Sequence, residues 1–221
     1  MDKIELINVS KEIKKKKILE DINVKFEKGK IYGLVGKNGS GKTMLFRAIS
    51  GLIKLSGGMV VADGKVLHKD ISVLPSLGIV IENTGLYPEF TGFENLKLLS
   101  KINKKIGDKE IWEAIKRVGL DPADKRSFRK YSLGMKQKIV LAQAFMEDPE
   151  VLLLDEPTNA LDEETVNLIR EILLEEKEKG KIIIIASHSR EDIEYLCDEV
   201  YKISNGRINV KRGGESNEEM V

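Results

Sequence analysis

The eight residues GKNGSGKT, from Gly36 to Thr43, have the composition and spacing of a phosphate-binding loop. They fit the pattern G-x-x-x-x-G-K-[ST], in which glycines allow backbone N–H groups to surround phosphate oxygens. We expect Lys42 to place its ammonium group on the terminal phosphates and the Thr43 hydroxyl to bind Mg²⁺. A chance glycine-rich turn would not need the apolar stretch that precedes this loop or the helical pattern that follows it. The sequence therefore predicts that the whole loop contacts a nucleotide: Gly36, Lys37, Asn38, Gly39, Ser40, Gly41, Lys42 and Thr43.

Two carboxylates close a second apolar stretch, VLLLDE. A buried strand that ends at Asp155 would place this carboxylate beside Mg²⁺. Glu156 lies one residue further and can point toward the γ-phosphate, where it would orient or deprotonate an attacking water. Two acids at a strand end are often only solvated, but the phosphate loop in the same chain favours the catalytic interpretation.

The segment YSLGMKQK, residues 131–138, contains a second candidate anion site. Ser132 and Gly134 lie just ahead of a helical pattern formed by Ile139, Ala142 and Phe145. Serine is a good helix N-cap, and glycine lets an anion approach the backbone N–H groups of a helix start. An ordinary capped helix with a flexible glycine is the alternative.

Composition limits the class of protein. The 221 residues carry a net charge of +1, with 41% hydrophobic and 33% charged residues, which is ordinary for a globular chain with a sizeable core. The near-zero charge gives no basic field for nucleic acid. A single cysteine, Cys197, excludes an internal disulfide framework. We expect no signal peptide, and the longest apolar runs are far shorter than the roughly 20 residues of a membrane span.

Strands must position these residues, and the sequence predicts them where apolar runs occur. IELINV and ILEDINVKF alternate as half-buried strands, whereas IYGLVG, VLLLDE and IIIIAS are buried strands separated by helical patterns. KEIKKKK is expected to be a solvated hairpin turn, or alternatively a phosphate or lipid patch. From Phe93 to about Met146 the apolar residues follow a helical period. The sequence thus predicts an α/β fold with a mainly parallel sheet, an N-terminal antiparallel β portion and an inserted α-helical subdomain.

Together these segments resemble the ATPase subunit of an ATP-binding cassette (ABC) transporter, over about residues 2–212. In the family's order, the chain has Walker A in GKNGSGKT, a signature segment in YSLGMKQK, Walker B in VLLLDE, a D-loop in NALD and a switch histidine in IIIIASHS. The resemblance implies a P-loop NTPase core in a domain of residues 1–212, with a helical subdomain at about 83–149. The polar tail 213–221 is expected to be disordered.

The resemblance also implies cofactors, catalytic residues and partners. ABC proteins bind ATP and Mg²⁺ between two cassettes that pair head to tail. By resemblance, Ser132, Gly134 and Met135 hold a phosphate bound by the partner chain, and His188 contacts the γ-phosphate and the opposite D-loop, which contains Asp162. Glu156, His188 and Lys42 are then the catalytic residues. The second cassette is identical or different, and a separate transmembrane permease would keep the chain cytoplasmic, on the inner face of the membrane.

Two positions depart from the usual family pattern. Glu82 stands where the Q-loop normally has glutamine, as a third expected Mg²⁺ ligand beside Thr43 and Asp155. Together with YSLGMKQK, this residue resembles the bacitracin- and lantibiotic-type subgroup of peptide-antibiotic exporters. Ile13 stands where an aromatic residue usually stacks on adenine, so we expect modest base selectivity.

Other interpretations stay open at the level of sequence. A soluble ABC ATPase acting on ribosomes or DNA would usually have two cassettes or a long coiled coil, which this chain lacks. A non-hydrolysing ATP-binding regulatory module is disfavoured by the presence of Glu156 and His188. Leu86, Tyr87 and Phe90 are either an exposed groove for the permease or part of the core.

Overall fold

Two β-sheets and two layers of helices position the candidate residues. A computed structural model describes residues 1–81 and 85–211. The strands are β1 Lys3–Ile13, β2 Lys16–Glu27, β3 Lys30–Val35, β4 Gly57–Ala62, β5 Lys65–Val66, β6 Leu77–Val80, β7 Val151–Asp155, β8 Ile182–Ala186, β9 Glu199–Ser204 and β10 Arg207–Lys211. The helices are α1 Lys42–Ser50, α2 Gly92–Asn103, α3 Asp108–Arg117, α4 Leu133–Phe145, α5 Glu163–Glu178 and α6 Arg190–Leu196, with a 3₁₀ turn at Phe128–Lys130.

The central sheet has the strand order β10-β9-β3-β8-β7-β6, and only the β9–β10 hairpin in it is antiparallel. Strand β8 is apolar at every position, and β7 at every position but its last, because both faces of these strands are buried. In β7, Leu152 and Leu154 pack into one core beside the helices, whereas Val151 and Leu153 pack into a second core. The parallel sheet that the buried strands predict is therefore present.

A second sheet, with the order β2-β1-β4-β5, is wholly antiparallel and covers α1 from the other side. The KEIKKKK segment forms the β1–β2 hairpin, with Lys14 and Lys15 exposed at its turn in the left-handed region at φ 49° and 63°. The Asp63-Gly64 and Asn205-Gly206 turns also have two positive φ values each, as tight hairpins require. The N-terminal antiparallel portion is thus present as predicted.

The helical insertion contains α2, α3 and α4. Thr91 begins α2 with a capping box, in which its hydroxyl accepts from Glu94 N and the Glu94 carboxylate accepts from Thr91 N. Leu96, Ile111 and Ile139 pack in the same core as Leu152. No helix in the described part of the chain combines the length and hydrophobicity of a membrane span. The expected domain boundaries stay a prediction, and the 213–221 tail lies outside the described residues.

One boundary differs from the sequence expectation. Gly134 lies inside the first turn of α4 rather than ahead of the helix, and Ser132 is the N-cap, accepting from Met135 N at 3.1 Å. A Cβ atom at Gly134 would lie 2.9 Å from Ala160 O. Glycine is therefore required at this helical position because the backbone of Ala160 approaches it closely. Helix propensity alone does not reveal such a contact.

Candidate active site

The glycine-rich loop joins β3 to α1 at the carboxyl end of the parallel sheet, where ligands usually bind in such folds. Gly39 and Gly41 have φ of 75° and 116°, which favour glycine. A Cβ atom at Gly36 would lie 2.3 Å from Ile203 O, so only glycine fits beside β9. The loop is thus bent around a point just before the N-terminus of α1, a region that attracts anions.

Lys42 lies in the centre of this loop with only 7% of its surface exposed. Its Nζ donates to Gly36 O at 2.6 Å and lies 3.4 Å from His188 Nε2. The Ser40 hydroxyl is buried and has no hydrogen-bond partner among residues 1–81 and 85–211. The loop therefore offers a buried cation and an unsatisfied hydroxyl to a ligand, which suits a phosphate group.

Thr43 and Asp155 meet at the end of β7. The Thr43 hydroxyl donates to Asp155 Oδ2 at 2.6 Å. One hydroxyl and one carboxylate oxygen this close are the hard oxygen donors that Mg²⁺ takes in nucleotide sites, where phosphate and water supply the other ligands. These two residues therefore fit a magnesium ion, whereas the third expected ligand, Glu82, lies outside the described residues.

Glu156 follows β7 in a strained backbone conformation, with φ of 50°. Its carboxylate faces His188, since His188 N donates to Glu156 Oε2 at 3.4 Å and His188 Nε2 lies 3.6 Å from Oε1. Burial raises the pKa of the Glu156 carboxyl above its ordinary value, and the interactions with His188 only partly oppose this. A half-buried carboxylate with a raised pKa is a suitable proton acceptor near neutral pH.

Asn38 and Gln137 make contacts in this site that the sequence interpretation missed. Asn38 Oδ1 lies 2.9 Å from His188 Nε2, although the residues are 150 positions apart. Gln137 Nε2 donates to Glu156 O and Pro157 O, both at 3.1 Å. Asn38 was expected only as part of the phosphate loop, and nothing in the sequence around Gln137 indicates its contacts.

A cleft of about 1240 Å³ joins these residues. Its walls include the loop, the carboxylates and the exposed side of α4, with Lys42, Thr43, Asp155, Glu156 and His188 all lining it. Ile18 lines the cleft, whereas Ile13 does not and has 41% of its surface exposed at the end of β1. The expected contact between Ile13 and adenine stays a prediction.

The residues expected to contact a partner's ATP form a separate group. Ser132, Gly134 and Met135 do not line the cleft, although Leu133, Lys136 and Gln137 between and after them do. Ser132 is exposed, and Leu133 beside it has 70% of its surface exposed. Asp162 begins α5 as its N-cap, accepting from Thr165 N at 2.9 Å. The structure thus gives Asp162 a capping role and leaves the start of α4 accessible.

Comparisons with known proteins agree with this geometry. A family model described as ABC transporter matches residues 19–159. An uncharacterized ABC transporter ATP-binding protein of Bacillus subtilis, YybJ, is 52% identical over 93% of this chain and 94% of its own length. The lantibiotic transport ATP-binding protein SrtF of Streptococcus pyogenes is 32% identical, covering 98% and 95%. The bacitracin transport ATP-binding protein BcrA of Enterococcus faecalis is 37% identical, covering 93% and 67%.

Among solved structures, the fold matches one described as the dimeric structure of MJ0796, a bacterial ABC transporter cassette. The TM-score is 0.84 at 26% identity, over 96% of this chain and 100% of the other. The resemblance drawn from the motifs and the predicted fold class are confirmed. The chain belongs to the ABC transporter family and is an ATP-binding, ATP-hydrolysing subunit.

Proposed function

We propose that this ATPase closes with a second cassette around two ATP molecules and drives a separate membrane permease that exports peptide antibiotics. The observation that carries the catalytic part is the convergence of Lys42, Thr43, Asp155, Glu156 and His188 on one cleft. These side chains come from the phosphate loop and from the ends of β7 and β8. They include the cation, the metal-binding oxygens and the base that phosphoryl transfer to water requires.

The roles follow from the positions of the side chains. Backbone N–H groups of the loop and Lys42 bind the β- and γ-phosphates, which stabilises the charge that develops on them. Thr43 and Asp155 would hold Mg²⁺, which would neutralise phosphate charge, and the sequence makes Glu82 the proposed third ligand. Glu156 accepts a proton from water or orients it for in-line attack. His188, whose Nε2 lies beside Asn38 and Lys42 of the loop, binds the γ-phosphate.

The second cassette completes each site. Ser132, Gly134 and Met135 lie at the start of α4 outside their own cleft, and a helix start of this kind binds anions. Asp162 fixes the start of α5 at the same surface. In a two-fold symmetric pair, the start of α4 in each chain faces the ATP of the other chain, so two sites form together.

Light scattering of Glu156→Gln with Mg²⁺, with and without ATP, tests this arrangement. Loss of the base should lower turnover about 100-fold or more while ATP still binds. We expect the mass to double only with ATP, because the pair closes but cannot hydrolyse. A matched variant, Glu163→Gln on the nearby start of α5, should turn over normally. A Glu156→Gln protein that hydrolyses ATP at the wild-type rate would contradict the role of Glu156.

The permease partner is supported by exposed aromatic side chains beside the helical insertion. Tyr87 and Phe90 have 53% and 39% of their surfaces exposed, and their rings lie 5.3 Å apart. Leu86 instead packs against the helical core and lines the nucleotide cleft. We propose that Tyr87 and Phe90 contact the permease, which keeps the chain at the cytoplasmic face of the membrane.

Export of peptide antibiotics rests on the named roles of SrtF and BcrA and on the subgroup resemblance. Deleting the gene for this chain should increase sensitivity to lantibiotics or bacitracin, measured as the minimal inhibitory concentration. Complementation with the wild-type gene should restore resistance and complementation with Glu156→Gln should not. Unchanged sensitivity to every cell-wall-active peptide would reject this substrate class while leaving the ATPase assignment intact.

A further inference from the structure

Gln137 makes a side-chain contact to the backbone that carries the proposed catalytic base. It lies in the second turn of α4, and its Nε2 bridges the carbonyl oxygens of Glu156 and Pro157 at 3.1 Å each. Gln137 is half-buried and lines the same cleft as Lys42 and Glu156. The Gln137 amide therefore contacts the backbone at Glu156 and Pro157 rather than the phosphate loop.

The backbone of Glu156 needs such support because its φ of 50° is unusual for a residue other than glycine. Conformations of this kind persist only where the surroundings fix them. Glu156 N donates to Ala186 O at the end of β8, at 2.8 Å. Gln137 fixes the other side of the residue through its carbonyl oxygen. The Glu156 carbonyl oxygen also accepts from Asn159 N at 3.2 Å, and its carboxylate accepts from His188 N at 3.4 Å, so the bond from α4 is one of four that fix Glu156.

We infer that Gln137 is a positioning residue for Glu156, and that it links the position of α4 to the alignment of the base. This inference rests on the proposed role of Glu156. The start of the same helix carries Ser132, which we propose contacts the partner's ATP. A displacement of α4 relative to β7 would break the two hydrogen bonds from Gln137. Glu156 would then keep its bonds to Ala186 O, Asn159 N and His188 N but lose its contact with α4.

Gln137→Met tests the inference, since methionine has a similar length and helix propensity but cannot donate. We expect kcat to fall at least about tenfold, while KM and the dissociation constant for ATP change less than about threefold. The matched control is Gln143→Met, on the same helix, whose Oε1 has no hydrogen-bond partner among the described residues. The control should keep kcat within about twofold. Rates are expressed per ATP-binding site, so that a misfolded fraction does not lower them.

A double-mutant cycle separates positioning of Glu156 from other effects. In a Glu156→Gln background, Gln137→Met should lower the residual single-turnover rate less than about twofold, because the base is already absent. Gln137→Glu is a second variant of nearly identical shape that replaces the donor with an acceptor facing two carbonyls, and it should lose at least as much kcat.

Three results would overturn the inference. These are an unchanged kcat in Gln137→Met and Gln137→Glu, a loss of ATP affinity equal to the loss of kcat, or the same fold-loss from Gln137→Met in both backgrounds. Full activity of Glu156→Gln would instead reject the proposed function of Glu156. An inactive Glu156→Gln with a fully active Gln137→Met would reject only the inference.

Discussion

Thr43 and Asp155 come from positions 112 residues apart, yet their side chains form one short hydrogen bond. This hydrogen bond joins the start of α1 to the end of β7. These two oxygens are the ones that we propose as Mg²⁺ ligands. The protein oxygens of the proposed metal site thus come from two elements that meet at this point.

Thr43→Val should lower Mg²⁺-dependent ATPase activity by about 10- to 100-fold, because a hydrogen bond or ligand at a charged group contributes roughly 1.5–3 kcal/mol. Thr43→Ser keeps the hydroxyl and should retain at least half of the activity. The measurement is phosphate release as a function of Mg²⁺ concentration. A valine variant with the wild-type Mg²⁺ dependence would exclude the Thr43 hydroxyl as a ligand.

A buried ion pair connects three elements behind the site. Arg170 of α5 and Asp192 of α6 are 6% and 1% exposed, and Arg170 donates to Asp192 Oδ1 from two nitrogens at 2.6 and 2.8 Å. The second oxygen of Asp192 accepts from the Thr158 hydroxyl at 2.5 Å. The pair therefore joins the helix after His188, the helix after the D-loop and the segment after Glu156. These contacts therefore connect the segments that follow Glu156 and His188.

Asp192→Asn should destabilise the protein by about 3–5 kcal/mol, since it leaves the buried Arg170 guanidinium with the exposed Glu191 as its remaining counter-charge. Glu191→Gln is the matched control, because Glu191 pairs with the same guanidinium but has 78% of its side chain exposed. The control should change the free energy of unfolding by less than about 1 kcal/mol. Urea unfolding followed by circular dichroism measures both, and equal effects would contradict the buried-pair argument.

A second buried carboxylate joins the helical insertion to the core of the molecule. Glu176 of α5 is 1% exposed and pairs with Arg117 of α3, Lys179 and Lys181. Burial alone would raise its pKa, but the hydrogen bonds from Lys179, Lys181 and Arg117 outweigh burial and lower the pKa to about 2. The contact between the two parts of the molecule is therefore sensitive to acid.

Stability should fall with acid in a defined range. The folded-state pKa of Glu176 is below its ordinary value of 4.5, so the ionised carboxylate contributes stability above pH 4.5 that is lost as the pH falls toward about 2. Over that range the full contribution is about 3 kcal/mol. The difference in unfolding free energy between wild type and Glu176→Gln should thus be about 2 kcal/mol smaller at pH 3 than at pH 6. A difference that is independent of pH would reject this pKa assignment.

Much of the whole molecule could be predicted from its sequence. VLLL and IIIIA are apolar at every position because both faces of their strands are buried, so they could be recognised without a structure. The loop from Gly36 to Thr43 could be recognised because its chemistry lies within eight consecutive residues. Contacts between distant residues could not be predicted. Gln137 contacts backbone carbonyl groups, which every residue has, so no residue type marks its partner. Asn38 contacts His188, which lies 150 positions away in the chain. The contact of Ile13 with adenine stays a prediction, and Ile18 lines the cleft, whereas Ile13 does not.

The close approach of Gly134 to Ala160 O has a consequence for how two chains would cooperate. The start of α4 and the D-loop, which would each reach toward a different part of the opposite chain, touch with no room for one added carbon atom between them. A movement of the start of α4 toward the D-loop must therefore push the D-loop as well. In the proposed pair, such a movement in one chain would shift that chain's D-loop, so that the state of one nucleotide site would be passed by direct contact to the other.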